Sequence, residues 1–200
     1  MEYSIEDFTK YKQYLNTIDG VINSYFDEQK EYIFCKKGCA HCCKTGQFPC
    51  SELEFRYLQL GFFKIPMKEQ QEVIKRIKSL KAEYKSVDDK EEYKYSCPFL
   101  DENNSCTIYE YRPLICRTFG LLTITPKGNC VVPFCYSLGL NYSNVYDEES
   151  KTIDFEKVKK EGYQKPPYAR KTNIGTLTSP EMFEDEPLNF GEIKSLIDWI

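Results

Sequence analysis

The 200-residue sequence contains a single histidine, a single tryptophan and three methionines. With one imidazole, a nucleophilic Cys–His pair would have to use His41, which stands among sulfurs that prefer metal. No glycine-rich phosphate loop and no serine-nucleophile motif is present. No stretch approaches the roughly 18 apolar residues of a membrane span. The acidic start Met1-Glu-Tyr-Ser-Ile-Glu-Asp7 lacks the basic residues and apolar run of a secretory signal. The expectation is a cytoplasmic chain, not in a membrane, with reduced thiols. The 27 basic residues against 31 acidic ones give a net charge of −4, with no basic excess to suggest a nucleic-acid partner. Lysines alternate with acids as on a solvated surface, and 41% hydrophobic content supports a packed core.

Cysteine, by contrast, is abundant. Five of the ten fall within sixteen residues, at Cys35, Cys39, Cys42, Cys43 and Cys50, and five more follow at Cys97, Cys106, Cys116, Cys130 and Cys135. Disulfides, thiolate-bound metal and redox chemistry are the three explanations for such clustering. A reducing compartment argues against disulfides, and adjacent residues such as Cys42 and Cys43 are badly placed to bridge each other. Without secretion, the glycosylation patterns at Asn103 and Asn141 carry no meaning. Metal remains. Thiolates bind zinc and iron–sulfur clusters alike. Paired C-x2-C knuckles would suggest zinc, but only Cys39 and Cys42 have that spacing. Cys35-x3-Cys39-x2-Cys42 suits a cubane cluster, and those eight residues resemble the triad of radical S-adenosylmethionine enzymes. The chain lacks the alternating strand–helix series and the Gly-Gly-Glu segment of those enzymes. Lys36, Lys37, Lys44, Arg112 and Arg117 adjoin the candidate ligands and can offset thiolate charge. His41 is read as hydrogen-bonded beside the site rather than ligating, because sulfurs suffice to fill a four-ligand centre.

The apolar pattern predicts a helix over 4–32, opened by a Ser4/Asp7 capping box and carrying Phe8, Tyr11, Leu15, Ile18, Ile22 and Tyr25 on one stripe. A Ser51/Glu54 box predicts a second helix stopping at Gly61. A third starts at Pro66 and buries Val73, Ile74, Ile77, Leu80 and Tyr84. Cys97 to Cys106 reads as a hairpin turning at 101–105, Pro113 opens a short helix bearing Cys116, and 121–125 and 130–132 read as a second hairpin joined by Pro126-Lys-Gly-Asn129. Residues 145–155 suit a strand pair, 164–180 an extended arm, and Asn189/Glu192 a last helix whose apolar face is Phe190, Ile193, Leu196, Ile197 and Ile200. Tyr95, Tyr109 and Tyr111 are read as packing residues.

Cys35-x3-Cys39-x2-Cys42-Cys43, then Cys97-Pro-Phe-Leu, then Cys106-Thr-Ile-Tyr-Glu-Tyr-Arg-Pro-Leu-Ile-Cys116-Arg-Thr-Phe119 together resemble the YkgJ-type cysteine-cluster family, the CxxCxxCC group described as zinc- or iron-chelating. The resemblance implies a ligand set of Cys35, Cys39, Cys42, Cys43, Cys97, Cys106, Cys116 and Cys135, with Cys50 and Cys130 additional. Here three residues rather than two separate Cys35 from Cys39. Longer relatives are flagellin lysine methylases, an activity not carried over to so short a chain. The expected fold is a small α-rich α+β domain with short β-hairpins and cysteine-bearing loops converging on metal. Residues 1–140 would form the helix and cysteine-cluster domain, and 141–200 an extension packed on it. The leading function is binding of an iron–sulfur cluster, 4Fe–4S favoured, in a redox or accessory role. The alternatives are a structural zinc module with a protein partner, and a methyl- or radical-transfer enzyme using S-adenosylmethionine.

Overall fold

The computed structural model describes residues 2–36, 38–125, 128–183 and 186–200. The expected charge of Lys37 and the first half of the expected turn at 126–129, Pro126 and Lys127, lie outside those residues. The architecture is α+β, with helices joined by loops and short antiparallel strand pairs. Two compact units divide the chain: the first comprises Met1–Phe8, Lys37–Cys116 and Asn189–Ile200, the second Thr9–Lys36 and Arg117–Leu188.

Helix α1 (Ile5–Glu28) opens on the expected box: Ser4 N–H donates to Asp7 Oδ2 at 2.8 Å and Asp7 N–H to Ser4 Oγ at 3.2 Å. Tyr11, Leu15, Ile18 and Ile22 are buried as the stripe requires. The helix is shorter than predicted, and Lys30–Tyr32 form a separate 3-10 turn.

In the first unit, strand β1 (Pro49–Ser51) leads into α3 (Glu52–Phe62), after the short helix α2 (His41–Lys44) that is described with the thiols below. Ser51 and Glu54 form both halves of the predicted capping box. Gly61 does not stop α3. A Cβ there would meet Tyr111 Cγ at 2.4 Å, so glycine is needed for the close approach of that ring. Helix α4 (Met67–Tyr84) follows Pro66, burying Val73 and Leu80 while Ile74 stays 40% exposed, outside the predicted buried face.

The predicted C-terminal helix is replaced by strand β6 (Ile193–Ser195), antiparallel to β1 with Cys50 opposite Lys194, and by the single turn α8 (Leu196–Trp199). The reason lies at the start of α3, whose first N–H groups need acceptors. Glu52 N–H donates to the Glu192 carbonyl at 2.9 Å and Leu53 N–H to that of Phe190 at 3.1 Å. Holding those carbonyls outward keeps the tail extended. Asn189 turns the chain by accepting from Gly191 N–H at 3.0 Å. Trp199 then stacks on Phe55 and donates its indole N–H to the Cys50 carbonyl at 2.8 Å. Phe48, Phe55, Leu58, Val73, Tyr95 and Phe99 form the centre of this unit, and Cys97, Cys106 and Cys116 pack against it.

The second unit is built on Tyr32, Leu122, Val132, Tyr142, Val145 and Ile153. Helix α5 (Leu114–Thr118) lies at the chain position where one unit gives way to the other. The expected hairpins are present as β2 (Thr123–Ile124) with β3 (Cys130–Val131) and β4 (Tyr146–Asp147) with β5 (Thr152–Ile153). Two short helices were not anticipated. Asp154 caps α6 (Phe155–Lys160), and within the supposed arm Asn173 caps α7 (Ile174–Leu177). Arg170 adds a bridge beside Thr123.

Candidate metal centre

Backbone pairing brings the two cysteine blocks together inside the first unit. Gly46 and Tyr95 exchange both N–H···O bonds at 3.2 Å, and Cys97 N–H donates to the Cys43 carbonyl at 2.7 Å. Gly46 has no room for a side chain: a Cβ would lie 2.5 Å from the Cys42 carbonyl oxygen. Within α2, the Sγ atoms of Cys42 and Cys43 lie 3.9 Å apart. The expected hairpin follows. Asp101 Oδ1 accepts from Asn103 N–H at 2.9 Å and Ser105 N–H at 2.7 Å, and Leu100 bridges to Cys106. The chain thereby doubles back and returns Cys106 to Cys97.

Cys116 is delivered by a buried carboxylate. Glu54 is 1% exposed and accepts from Ser51 N–H through Oε2 and from Leu114 N–H through Oε1, both within 2.8 Å. It therefore caps α3 and fixes the first residue of α5, two positions before Cys116.

These thiols share one electrostatic environment. Cys97 is pushed up to about 12, by burial first and then by charge on Cys106 and Cys43. Cys106 is raised by burial and by Cys43, and Cys116 is driven well above the usual thiol range by burial and then by Cys97, Cys106 and Cys43. Opposing this, the backbone N–H groups of Phe99 and Leu100 favour the Cys97 thiolate and that of Ile108 the Cys106 thiolate, and Arg112 lies near enough to favour the Cys106 thiolate as well. The neighbouring Cys42 thiol draws Cys43 below the usual range. Cys43, Cys97, Cys106 and Cys116 thus make an all-sulfur donor set with backbone donors aimed at two of its members, which fits zinc or an iron–sulfur cluster. Among the described residues, no three His, Cys, Asp or Glu side chains are already closed up in a geometry able to hold a metal ion.

The surrounding charges divide. Arg112 stacks at 3.8 Å on Tyr109, which is 58% exposed and so not the packing residue expected. Tyr95 is buried in the core, and Tyr111 packs on Tyr57. Arg117 is turned to another task, as its buried guanidinium pairs with Asp19 at 2.5 Å within the second unit. Lys36, Lys44 and His41 are exposed. Cys39 is half-buried in the first unit. Cys50 is fully buried beneath Cys116, with burial and Glu54 pushing its thiol well up.

Cys35, Cys130 and Cys135 belong to the second unit. Tyr142 is within electrostatic reach of both Cys130 and Cys135. The Cys35 backbone is held by Asn141, which is fully buried, accepts from the N–H groups of Phe34 and Cys35 at 3.0 Å, and donates to the Gly120 carbonyl at 2.9 Å. Sequence reasoning noticed this asparagine only as a glycosylation pattern. Gly46, Glu54 and Asn141 are the positioning residues it missed, and of these only Glu54 left a signal, through its capping box.

The family model CxxCxxCC, whose description reads "putative zinc- or iron-chelating domain", matches residues 34–167. No curated protein and no solved structure matches the chain.

Proposed function

Starting from the chain's membership of the CxxCxxCC family of zinc- or iron-chelating domains, we propose that it holds an iron–sulfur cluster in a redox or accessory role. The observation that carries this reading is the set of four thiols in the first unit, Cys43, Cys97, Cys106 and Cys116, with N–H donors on two of them. Hydrogen bonds to sulfur, a low-dielectric surround and one nearby guanidinium are the means by which a protein sets a cluster's potential. Bound metal would supply electron transfer or a rigid cross-link. The chain's own contribution is to present deprotonated sulfur and exclude water. Of the other four cysteines in the set that the resemblance implies, Cys39 and Cys42 lie in the first unit with these thiols, and Cys35 and Cys135 in the second.

A structural zinc site is the second reading, favoured by one thiol. Zinc takes four thiolates without sulfide, and Cys43, with its thiol lowered by Cys42 at 3.9 Å, is the member of the set readiest to ligate it. The S-adenosylmethionine enzyme drew on the triad Cys35, Cys39 and Cys42, of which Cys35 falls in a different compact unit from the other two.

Metal and acid-labile sulfide analysis of protein purified without oxygen, with an absorption spectrum, separates the two. Iron with sulfide and a broad visible band is expected. Zinc without sulfide would replace the cluster by the structural site. Cys116→Ser should lose the metal and Cys130→Ser retain it. Unchanged metal content and melting in Cys116→Ser would refute the four-thiol centre.

A further inference from the structure

The second unit contains a cavity of about 810 Å³ that none of the thiols lines. One wall is a face of α1, where Tyr14, Ile18, Val21, Ile22 and Tyr25 recur at helical spacing, and the opposite wall is Leu177, Met182, Phe183 and Leu188. From Lys10 to Tyr25 the groove follows fifteen residues of helix, about 22 Å at the usual rise. Val21 and Met182 keep 40% and 37% of their surface exposed, so apolar area is left open to solvent along it.

The two ends differ. At the Lys10 end the ammonium is neutralised by Glu186 at 2.6 Å. The Tyr25 end is set by Arg170, whose guanidinium stacks 4.5 Å over that ring and pairs with Glu28 at 2.9 Å. The next two residues, Lys171 and Thr172, line the cavity. Lys171 is exposed and makes no ion pair among the described residues. Thr172 is only 4% exposed, yet its hydroxyl finds no hydrogen-bond partner among the described residues. A buried hydroxyl without a partner is an unusual expense in a folded chain. Here it lines an apolar groove together with Lys171, whose ammonium makes no ion pair among the described residues.

We propose that this groove binds a long-chain carboxylate, its hydrocarbon along α1 and its anionic head at Lys171 and Thr172. The volume lies within the range of small-molecule sites, and a few polar groups on an apolar lining are what orient such a ligand. One ammonium and one hydroxyl match a monoanion. The site is independent of the metal reading.

The test is calorimetric titration of the full, metal-loaded chain with dodecanoate, hexadecanoate and methyl hexadecanoate below their aggregation limits. Saturable binding of the acids is expected, hexadecanoate tighter than dodecanoate. The ester and Lys171→Ala should each weaken binding about tenfold, the loss expected of one charge-assisted contact. Val21→Glu places charge on the exposed wall and should abolish binding with melting unchanged. Thr172→Val should weaken binding about fivefold without lowering the melting temperature, since it removes a hydroxyl the free protein leaves unpaired. No saturable binding, equal affinity for acid and ester, or full binding by Val21→Glu would each overturn the proposal.

Discussion

Cys50 is a thiol whose burial is accounted for by packing and main-chain pairing. Its residue is fully buried on β1, its carbonyl takes the Trp199 indole N–H, and its main chain runs in the β1–β6 ladder. Cys116 instead has its thiol raised by burial and then by charge on Cys97, Cys106 and Cys43. Cys50→Ser should therefore leave metal content intact while lowering stability by about 1–3 kcal/mol, the cost of a buried hydroxyl without a good partner. Metal analysis and urea unfolding on one preparation check both halves, and loss of metal would place Cys50 among the ligands. The sequence marked Cys50 as additional through a family resemblance, and this pair of measurements tests that reading. Asn141 ran the other way. Its Asn-x-Ser pattern was read as carrying no meaning, whereas the residue is buried and holds the Cys35 main chain. Nothing local in the sequence signals a side chain whose partners lie 107, 106 and 21 residues away.

Elements were legible where the signal was local. Both capping boxes formed as read, because their partners are three residues apart. The C-terminal stretch was misread as a helix because Phe190, Ile193, Leu196, Ile197 and Ile200 satisfy helical spacing, while the deciding partners are distant N–H groups of α3. Tertiary pairing overrode periodicity there. Glu54 joins the two kinds of information, being local as a cap and non-local as the acceptor for Leu114. Glu54→Ala is expected to cost about 2–4 kcal/mol by leaving two buried N–H groups unpaired, and to reduce metal content by releasing Cys116. Glu54→Gln, which keeps carbonyl acceptance at one oxygen, should fall between wild type and alanine in both. Thermal melts with metal stoichiometry test this, and full metal content in the alanine variant would show that Cys116 is positioned by something other than this carboxylate.

Taken as a molecule, the chain makes the free energy of its thiols depend on whether metal is bound. The cysteine count pointed to metal from the sequence alone, but the interleaving of two units from five segments did not show, since it rests on contacts between residues far apart in the chain. Folding raises the pKa of Cys97 to about 12 and raises those of Cys106 and Cys116. An acid so shifted holds its proton more tightly in the folded chain than in the unfolded one. In the metal-free protein that contribution is complete below the unfolded thiol pKa of about 8.5, and is lost as pH climbs from there toward about 12. Metal reverses the dependence. Ligands must be deprotonated, so binding releases protons and tightens as pH rises. The melting temperature of metal-free protein should accordingly fall above about pH 8.5, while the stabilisation added by metal grows across the range below it. Scanning calorimetry of stripped and reloaded protein from neutral to alkaline pH measures both slopes. Parallel curves would mean that the buried thiols are not the groups that give up protons to metal. Diverging curves would tie the metal to Cys97, Cys106 and Cys116, and a Cys116→Ser protein, with fewer thiols to deprotonate, should show less of that divergence.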